Sequence, residues 1–309
     1  MTEYMPEGEL IKLPSNALHT ANIAALEEIM KKEIIAEAIC TLCDSNHNLI
    51  VNLGFTQGFI PRNEGAVGIE DGTTRDIALI SRVNKPVCFV VSEIKTDADG
   101  KHKIILSRKK AQEKCIADYV SRLTTGDIIN AKITHLESFG AFVDIGCGLP
   151  SLIPIDLISV SRISHPADRF EVGQSIRAVV KSTSDNKITL THKELLGTWQ
   201  ENADLYSVGE TVTGIVRSVE NYGIFVELTP NLAGLAEVKD GVEAGNMVSV
   251  YIKAIIPEKM KVKLIIVDKF NGQKNIKPLP CRYFNDKNHI DSWVYSTNSC
   301  LKDIRTDFV

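Results

Sequence analysis

Two stretches of this sequence carry the same punctuation. Ser138–Gly146 reads SFGAFVDIG and Asn221–Thr229 reads NYGIFVELT: an aromatic residue, a glycine, one spacer, then phenylalanine, valine, an acid and an aliphatic residue. The match extends well beyond them. TGDIINAKITHLESFGAFVDIG (Thr125–Gly146) aligns with VGETVTGIVRSVENYGIFVELT (Val208–Thr229), VGQSIRAVVKST (Val172–Thr183) with AGNMVSVYIKAI (Ala244–Ile255), and KITLT (Lys187–Thr191) with KVKLI (Lys261–Ile265). A repeat of roughly 70–90 residues means that one small structural unit is used again and again. Each unit contains about five runs of alternating apolar residues separated by turn residues, the signature of strands. A unit this short has no room for crossover helices, so its strands must close on themselves as a small barrel.

A looser third copy comes earlier in the chain. CDSNHNLIVNLG (Cys43–Gly54), KPVCFVVSEI (Lys85–Ile94) and KIILS (Lys103–Ser107) fit the same frame, with His47 at the place of Phe139 and Ile50 at the place of Phe142. The expected fold is therefore mainly β: three tandem OB-fold barrels, five-stranded Greek keys, joined by short helices. The expected divisions are an N-terminal helical segment (1–33), a divergent barrel (34–108), a linker helix (109–123), a barrel (124–191), a second linker helix (192–206), a third barrel (207–270) and an aromatic-rich C-terminal tail (271–309). Helical spacing in Asn16–Ile35 places Ile23, Leu26, Ile29 and Met30 on one face, and in Lys109–Leu123 it places Ile116, Tyr119, Val120 and Leu123 along one stripe. His192–Tyr206 is less regular, and Gly197 weakens it. The tail, with Tyr283, Phe284, Trp293, Tyr295 and Phe308, is too aromatic to be disordered, but its pattern assigns it no fold.

Alternation along the strand assigns the faces. In FVDIG, Val143 and Ile145 share one side, so that side is the core, while Phe142 shares the other with a carboxylate, Asp144. The third copy agrees, with Val226 and Leu228 inward and Phe225 and Glu227 outward. Simple alternation would send Phe139 inward, and a bulge at Gly140 would turn it out beside Phe142; Gly223 would do the same for Tyr222, and Asn48 for His47. An aromatic pair in a strand is more often core than surface. Recurrence of the pair on the polar face of two copies, with a glycine at the same place, favours an exposed platform on which the bases of a single strand can stack.

Charge limits what such a platform can bind. The chain has 35 Lys+Arg against 39 Asp+Glu, a net charge of −4, which excludes binding of nucleic acid by bulk positive charge. Local cations do recur at matching places. Lys103, Lys187 and Lys261 each precede the last strand of their unit, and Lys181 and Lys253 take outward positions on the strand before it, where the first copy has Cys88 and Ser92. Surface lysines are usually no more than solvated charge, and the matched placement is what argues otherwise. The seven cysteines include one Cys-x-x-Cys pair, Cys40 and Cys43, inside a strand-like run; a zinc site joining them to Cys281, His289 and Cys300 is an alternative to reduced, buried thiols, and the thiols are the expected state, with no metal or cofactor. The acidic start lacks a secretory signal and no segment has about 18 uninterrupted apolar residues, so a cytoplasmic protein without membrane contact is expected.

GDIINAKITHLESFGAFVDIG, followed by SRISHPADRFEVGQSIRAVV and KITLTHKE, closely resembles the RNA-binding domain named after ribosomal protein S-one, and the whole chain resembles the multi-repeat proteins of that family from clostridial bacteria. The resemblance spans roughly residues 34–270. It implies that each competent repeat binds single-stranded RNA through two aromatics, a histidine on the next strand, and an acidic and a basic residue near the closing strand. Carried onto this sequence, the aromatics are Phe139 and Phe142, then Tyr222 and Phe225; the basic positions are Lys187 and Lys261; Asp185 is the acid. The histidine has no counterpart, since Pro61, Pro154 and Glu237 stand at its place, and the His165-Pro166 pair matches a structural feature of the motif. The resemblance further implies that the first repeat, which lacks the aromatic pair, docks onto protein, the small ribosomal subunit included. The reading is thus a non-enzymatic protein that binds single-stranded mRNA. The alternative is a protein-docking scaffold or an accessory factor of RNA decay or transcription with little RNA binding of its own; no nucleotide loop or paired-acid motif supports an RNA-processing enzyme.

Overall fold

A computed structural model of the chain describes residues 4–96, 100, 102–184, 187–270 and 282–308. Fifteen strands close into three five-stranded barrels. The first contains β1 (Ala36–Cys43), β2 (Leu49–Asn52), β3 (Gln57–Ile60), β4 (Pro86–Thr96) and β5 (His102–Ser107). The second contains β6 (Ile128–Glu137), β7 (Gly140–Asp144), β8 (Pro150–Pro154), β9 (Ser175–Ser184) and β10 (Lys187–Thr191). The third contains β11 (Thr211–Glu220), β12 (Gly223–Thr229), β13 (Leu232–Ala236), β14 (Met247–Ile256) and β15 (Lys261–Lys269). In each, the third strand pairs in parallel with the fifth, through Phe59↔Ile105, Leu152↔Thr189 and Leu235↔Lys263, and this crossing closes the Greek key. The three partners align Lys103, Lys187 and Lys261 by register as well as by sequence. Among the described residues no helix is long and apolar enough to cross a membrane.

The chain forms two compact units, Met1–Leu123 with Asp144–Pro150, and Thr124–Val143 with Ser151–Val309. In the first unit the expected N-terminal helix is two, α1 (Pro14–His19) and α2 (Ile23–Lys32). Asn22 divides them because its side chain accepts a hydrogen bond from Ala25 N, which caps α2 and lets Leu26 and Ile29 bury against the first barrel. The short α3 (Ile77–Ile80) lies in the long β3–β4 connection.

The linker helix α4 (Arg108–Asp118) departs from its expected stripe. It buries Arg108, Ala111, Gln112 and Cys115 and leaves Ile116 exposed. Small side chains let it approach Ile35, Cys88 and Val90 closely. The two polar residues are buried because each has fixed partners: Arg108 pairs with Glu7, and Gln112 bridges Val67 N and Cys147 O.

In the second unit the weak linker is a single 3-10 turn (Lys193–Leu196), then Gly197, then α5 (Trp199–Ala203), which opens on a capping box between Thr198 and Glu201. The tail acquires a fold that its sequence pattern did not announce. β16 (Ser292–Val294) and β17 (Arg305–Asp307) pair as a two-stranded ribbon. Trp293 and Tyr295 enter the apolar core of the third barrel with Val250, Ile252 and Leu264. Ile290 and Phe308 pack with Val179 and Leu195 of the second. A mobile appendage cannot supply core residues, so this segment is part of the domain it follows.

Cys40 and Cys43 lie within β1 as free thiols, and burial raises both above the ordinary thiol range. Among the described residues no cluster of three His, Cys, Asp or Glu side chains is arranged to hold a metal ion; Cys281 lies outside the described residues.

Candidate nucleic-acid interface

The two aromatic pairs converge. Phe139 and Phe142 have ring centroids 5.9 Å apart at 88°, and Tyr222 and Phe225 are 6.1 Å apart at 87°. These are the edge-to-face contacts aromatic rings favour, repeated in two barrels to within a few tenths of an ångström. Phe139 is 54% exposed and Tyr222 67%, while Phe142 and Phe225 are half-buried. The residue after the second ring of each pair faces the other way: Val143 and Val226 are fully buried.

The pairs meet by a different route from the expected bulge. Ser138–Phe139 and Asn221–Tyr222 are the two-residue turns of the β6–β7 and β11–β12 hairpins, and Gly140 and Gly223 are the first residues of β7 and β12. The first ring of each pair shares a face with the second because it sits in the turn. The glycines are needed for close approach: a Cβ on Gly140 would lie 2.5 Å from the carbonyl oxygen of Ile153, and one on Gly223 would lie 2.7 Å from that of Ala236. In the first barrel it is His47, not Asn48, that takes the left-handed conformation, at φ 61°. Bulges do occur, at Thr41 and Arg217 on the first strands and at Lys181 and Lys253 on the fourth.

The carboxylates that marked the outer face are also not on solvent. Glu227 is fully buried because two guanidinium groups neutralise it: Arg169 pairs with it directly, and Arg217 Nε lies 2.8 Å from its Oε2. Asp144 is buried too, and accepts from the backbone N–H groups of Glu7, Gly146 and Gly148 at 2.7, 2.8 and 3.0 Å. Burial, reinforced by the charge of Glu7, pushes the Asp144 carboxyl up to about 7. The face assignment holds for the rings, but its marker had a structural reason.

Tyr222 and Phe225 line a groove of about 760 Å³ on the third barrel. Lys253 and Lys261 line it as well, and so does Glu237. Sequence reasoning missed Lys259, Lys263 and Lys302, which join the same groove. Lys263 was within reach, since it shares the outward register of Lys261; nothing in the sequence pointed to Lys302. None of these five ammonium groups makes an ion pair among the described residues, so their charge is left for a ligand.

The second barrel is arranged differently. Its Lys187 is exposed, but Lys181, the equivalent of Lys253, places Nζ 5.4 Å above the Phe308 ring of the tail. Asp185 lies outside the described residues. His135, which sequence reasoning passed over, lies 6.4 Å from the Phe142 ring at 33° and adds a third ring to that face. His165 accepts from Ala167 N and opens a capped turn at Pro166–Asp168, the structural part expected of it. On the first barrel Phe59 pairs with Ile50 across β2–β3, and Lys103 Nζ lies 5.5 Å from the Phe59 ring. His47 and Arg62 on that barrel both face Asp76, at 3.7 and 2.7 Å.

Comparison with known proteins agrees with this geometry. Residues 122–193, the second barrel, match the family model of the S1 RNA binding domain. The small ribosomal subunit protein bS1 of Leuconostoc lactis is 30% identical over 234 residues, 70% of this chain and 52% of that protein. The bS1 homolog of Bacillus subtilis is 28% identical over 268 residues, 84% of this chain and 66% of that protein. The bS1 protein of Chlamydia muridarum is 32% identical over 60% of this chain and 35% of its own length. The chain thus spans between about a third and two thirds of the length of these relatives. With an S1 domain in its second barrel and a similar sequence across most of its length, the chain is an S1-domain protein similar to the small ribosomal subunit protein bS1.

Proposed function

We propose that the protein binds single-stranded RNA, with bases stacked on Phe139–Phe142 and on Tyr222–Phe225 and phosphates met by Lys187, Lys253 and Lys261; Asp185 is the acid that the sequence resemblance assigns to the second barrel. One observation carries the reading: two edge-to-face aromatic pairs at the same place in two barrels, each with an exposed leading ring. Stacking suits a chain of net charge −4, because every base offers a π-face and each stacked base is worth roughly 1–3 kcal/mol. Lys181 takes a supporting place, since the Phe308 ring already holds it. The two barrels serve translation as non-enzymatic mRNA-binding modules in the cytoplasm; the bS1 relatives are named as proteins of the small ribosomal subunit. The first barrel takes a protein partner, the small ribosomal subunit, because it lacks the ring pair and its Arg62 is paired with Asp76.

The test is a titration of the full chain with a fluorescent single-stranded oligoribonucleotide. Phe142→Ala and Phe225→Ala should each weaken binding by about 5- to 150-fold, the equivalent of 1–3 kcal/mol, at unchanged melting temperature. A collapsed melting temperature with unchanged affinity of the folded fraction would make the rings core residues and end the reading.

A further inference from the structure

The tail ribbon lies outside the barrel repeat, yet it supplies part of the groove wall. Lys302 and Ile304 line the groove together with Tyr222, Phe225, Lys259 and Lys261. The segment is pinned in place at several points. Tyr295 is buried, its hydroxyl donates to Asn231 O at 2.7 Å, and its N–H donates to Ile304 O at 2.8 Å. Thr297 Oγ1 donates to Pro257 O at 2.8 Å, which holds the turn that carries Lys259. The wall is therefore fixed before any ligand arrives, and a preformed site loses less entropy on binding.

We infer that this C-terminal ribbon is part of the third barrel's RNA site, with Lys302 contributing a phosphate contact that the barrel alone does not have; the inference rests on the proposed RNA-binding function. A volume of about 760 Å³ lies within the roughly 300–1,000 Å³ of sites that enclose small ligands, room for about one to two nucleotides. Among the described residues five ammonium groups with no ion pair line it, against one carboxylate, Glu237, in a chain whose overall charge is negative. Lys302 offsets that carboxylate, so the ribbon adds to the positive potential of the groove. Lys302 makes no ion pair of its own among the described residues, and its side chain is on the surface, so removing it leaves the fold intact.

The experiment uses the full chain carrying Phe139→Ala and Phe142→Ala, which silence the second barrel, and a single-stranded oligoribonucleotide titrated at several salt concentrations. Lys302→Ala in that background should flatten the log–log salt slope by about 0.7 and lower affinity roughly 5- to 10-fold at about 50 mM salt. Lys302→Arg should restore both. If Lys302→Ala changes neither quantity while Lys261→Ala changes both, the ribbon is outside the site and the RNA-binding function stands without it. If Tyr222→Ala and Lys261→Ala are also silent, the third barrel does not bind RNA and this inference falls with the function beneath it.

Discussion

His192 shows how one side chain can tie the tail to the barrels and make the join sensitive to pH. It is fully buried, with Nδ1 donating to Ile158 O at 3.1 Å and Nε2 3.2 Å from the Tyr283 hydroxyl. Arg177 N donates to that same hydroxyl. Burial, reinforced by the charge of Arg169, lowers the His192 pKa to about 4, against 6.5 for a free imidazole. Because the folded pKa is the lower one, the unfolded chain binds the proton more tightly, so this stability is complete above pH 6.5 and is lost as pH falls toward 4. On the order of 3 kcal/mol is at stake. Thermal melts of the full chain should therefore show the unit of residues 124–143 and 151–309 weakening between pH 6.5 and 4.5. His192→Gln should flatten that dependence; an unchanged dependence in the variant would place the acid sensitivity elsewhere.

Among the structural elements, the repeated hairpins β6–β7 and β11–β12 were the most legible in the sequence. Alternation over FVDIG and FVELT located the strands and assigned Val143 and Val226 to the core, because a period of two has one solution when one face is aliphatic. The turn was misread as a bulge, since a glycine after an aromatic residue looks the same whether it permits a left-handed backbone or makes room for Ile153 and Ala236. The linker helix α4 was located but its buried stripe was not: Arg108 and Gln112 are inside because distant Glu7, Val67 and Cys147 receive them, and no local pattern encodes a distant partner. The ribbon β16–β17 was illegible for a related reason, as three-residue strands are too short to show a period. Elements differ in their electrostatic part as well. On β10 and β15, Lys187→Ala and Lys261→Ala should each reduce the salt slope of RNA binding by about 0.7, whereas Phe139→Ala and Tyr222→Ala should lower affinity and leave the slope alone. Salt titrations of the four variants decide it, and a steep slope indifferent to both lysines would point to charge binding at another surface.

For the molecule as a whole, the proposed function divides RNA binding unequally among the three barrels. The first has no ring pair, so residues 1–123 should bind single-stranded RNA poorly. The second and third should retain most of the affinity of the full chain. The fragment that tests this must run to residue 308, because a cut at Phe270 would strip Trp293 and Tyr295 from the third barrel's core and Ile290 and Phe308 from the second's packing. Side-by-side titration of residues 1–123 and 124–309 should show at least a tenfold difference in favour of the latter. Equal affinities would sink the division. Fragment 124–270 should melt well below 124–309, since losing a buried Trp alone costs about 3–5 kcal/mol.

The tail's place inside the third barrel also sets a timetable. A barrel whose fifth strand ends at Lys269 would ordinarily close as soon as that strand leaves the ribosome. Here the last core side chains come from Trp293 and Tyr295, and the groove is not walled until Lys302 and Ile304 follow. At about 5–20 residues per second, synthesis imposes a delay of a few seconds during which the strands exist without their final packing. During that interval a nascent chain has its aromatic pairs but an unfinished third groove.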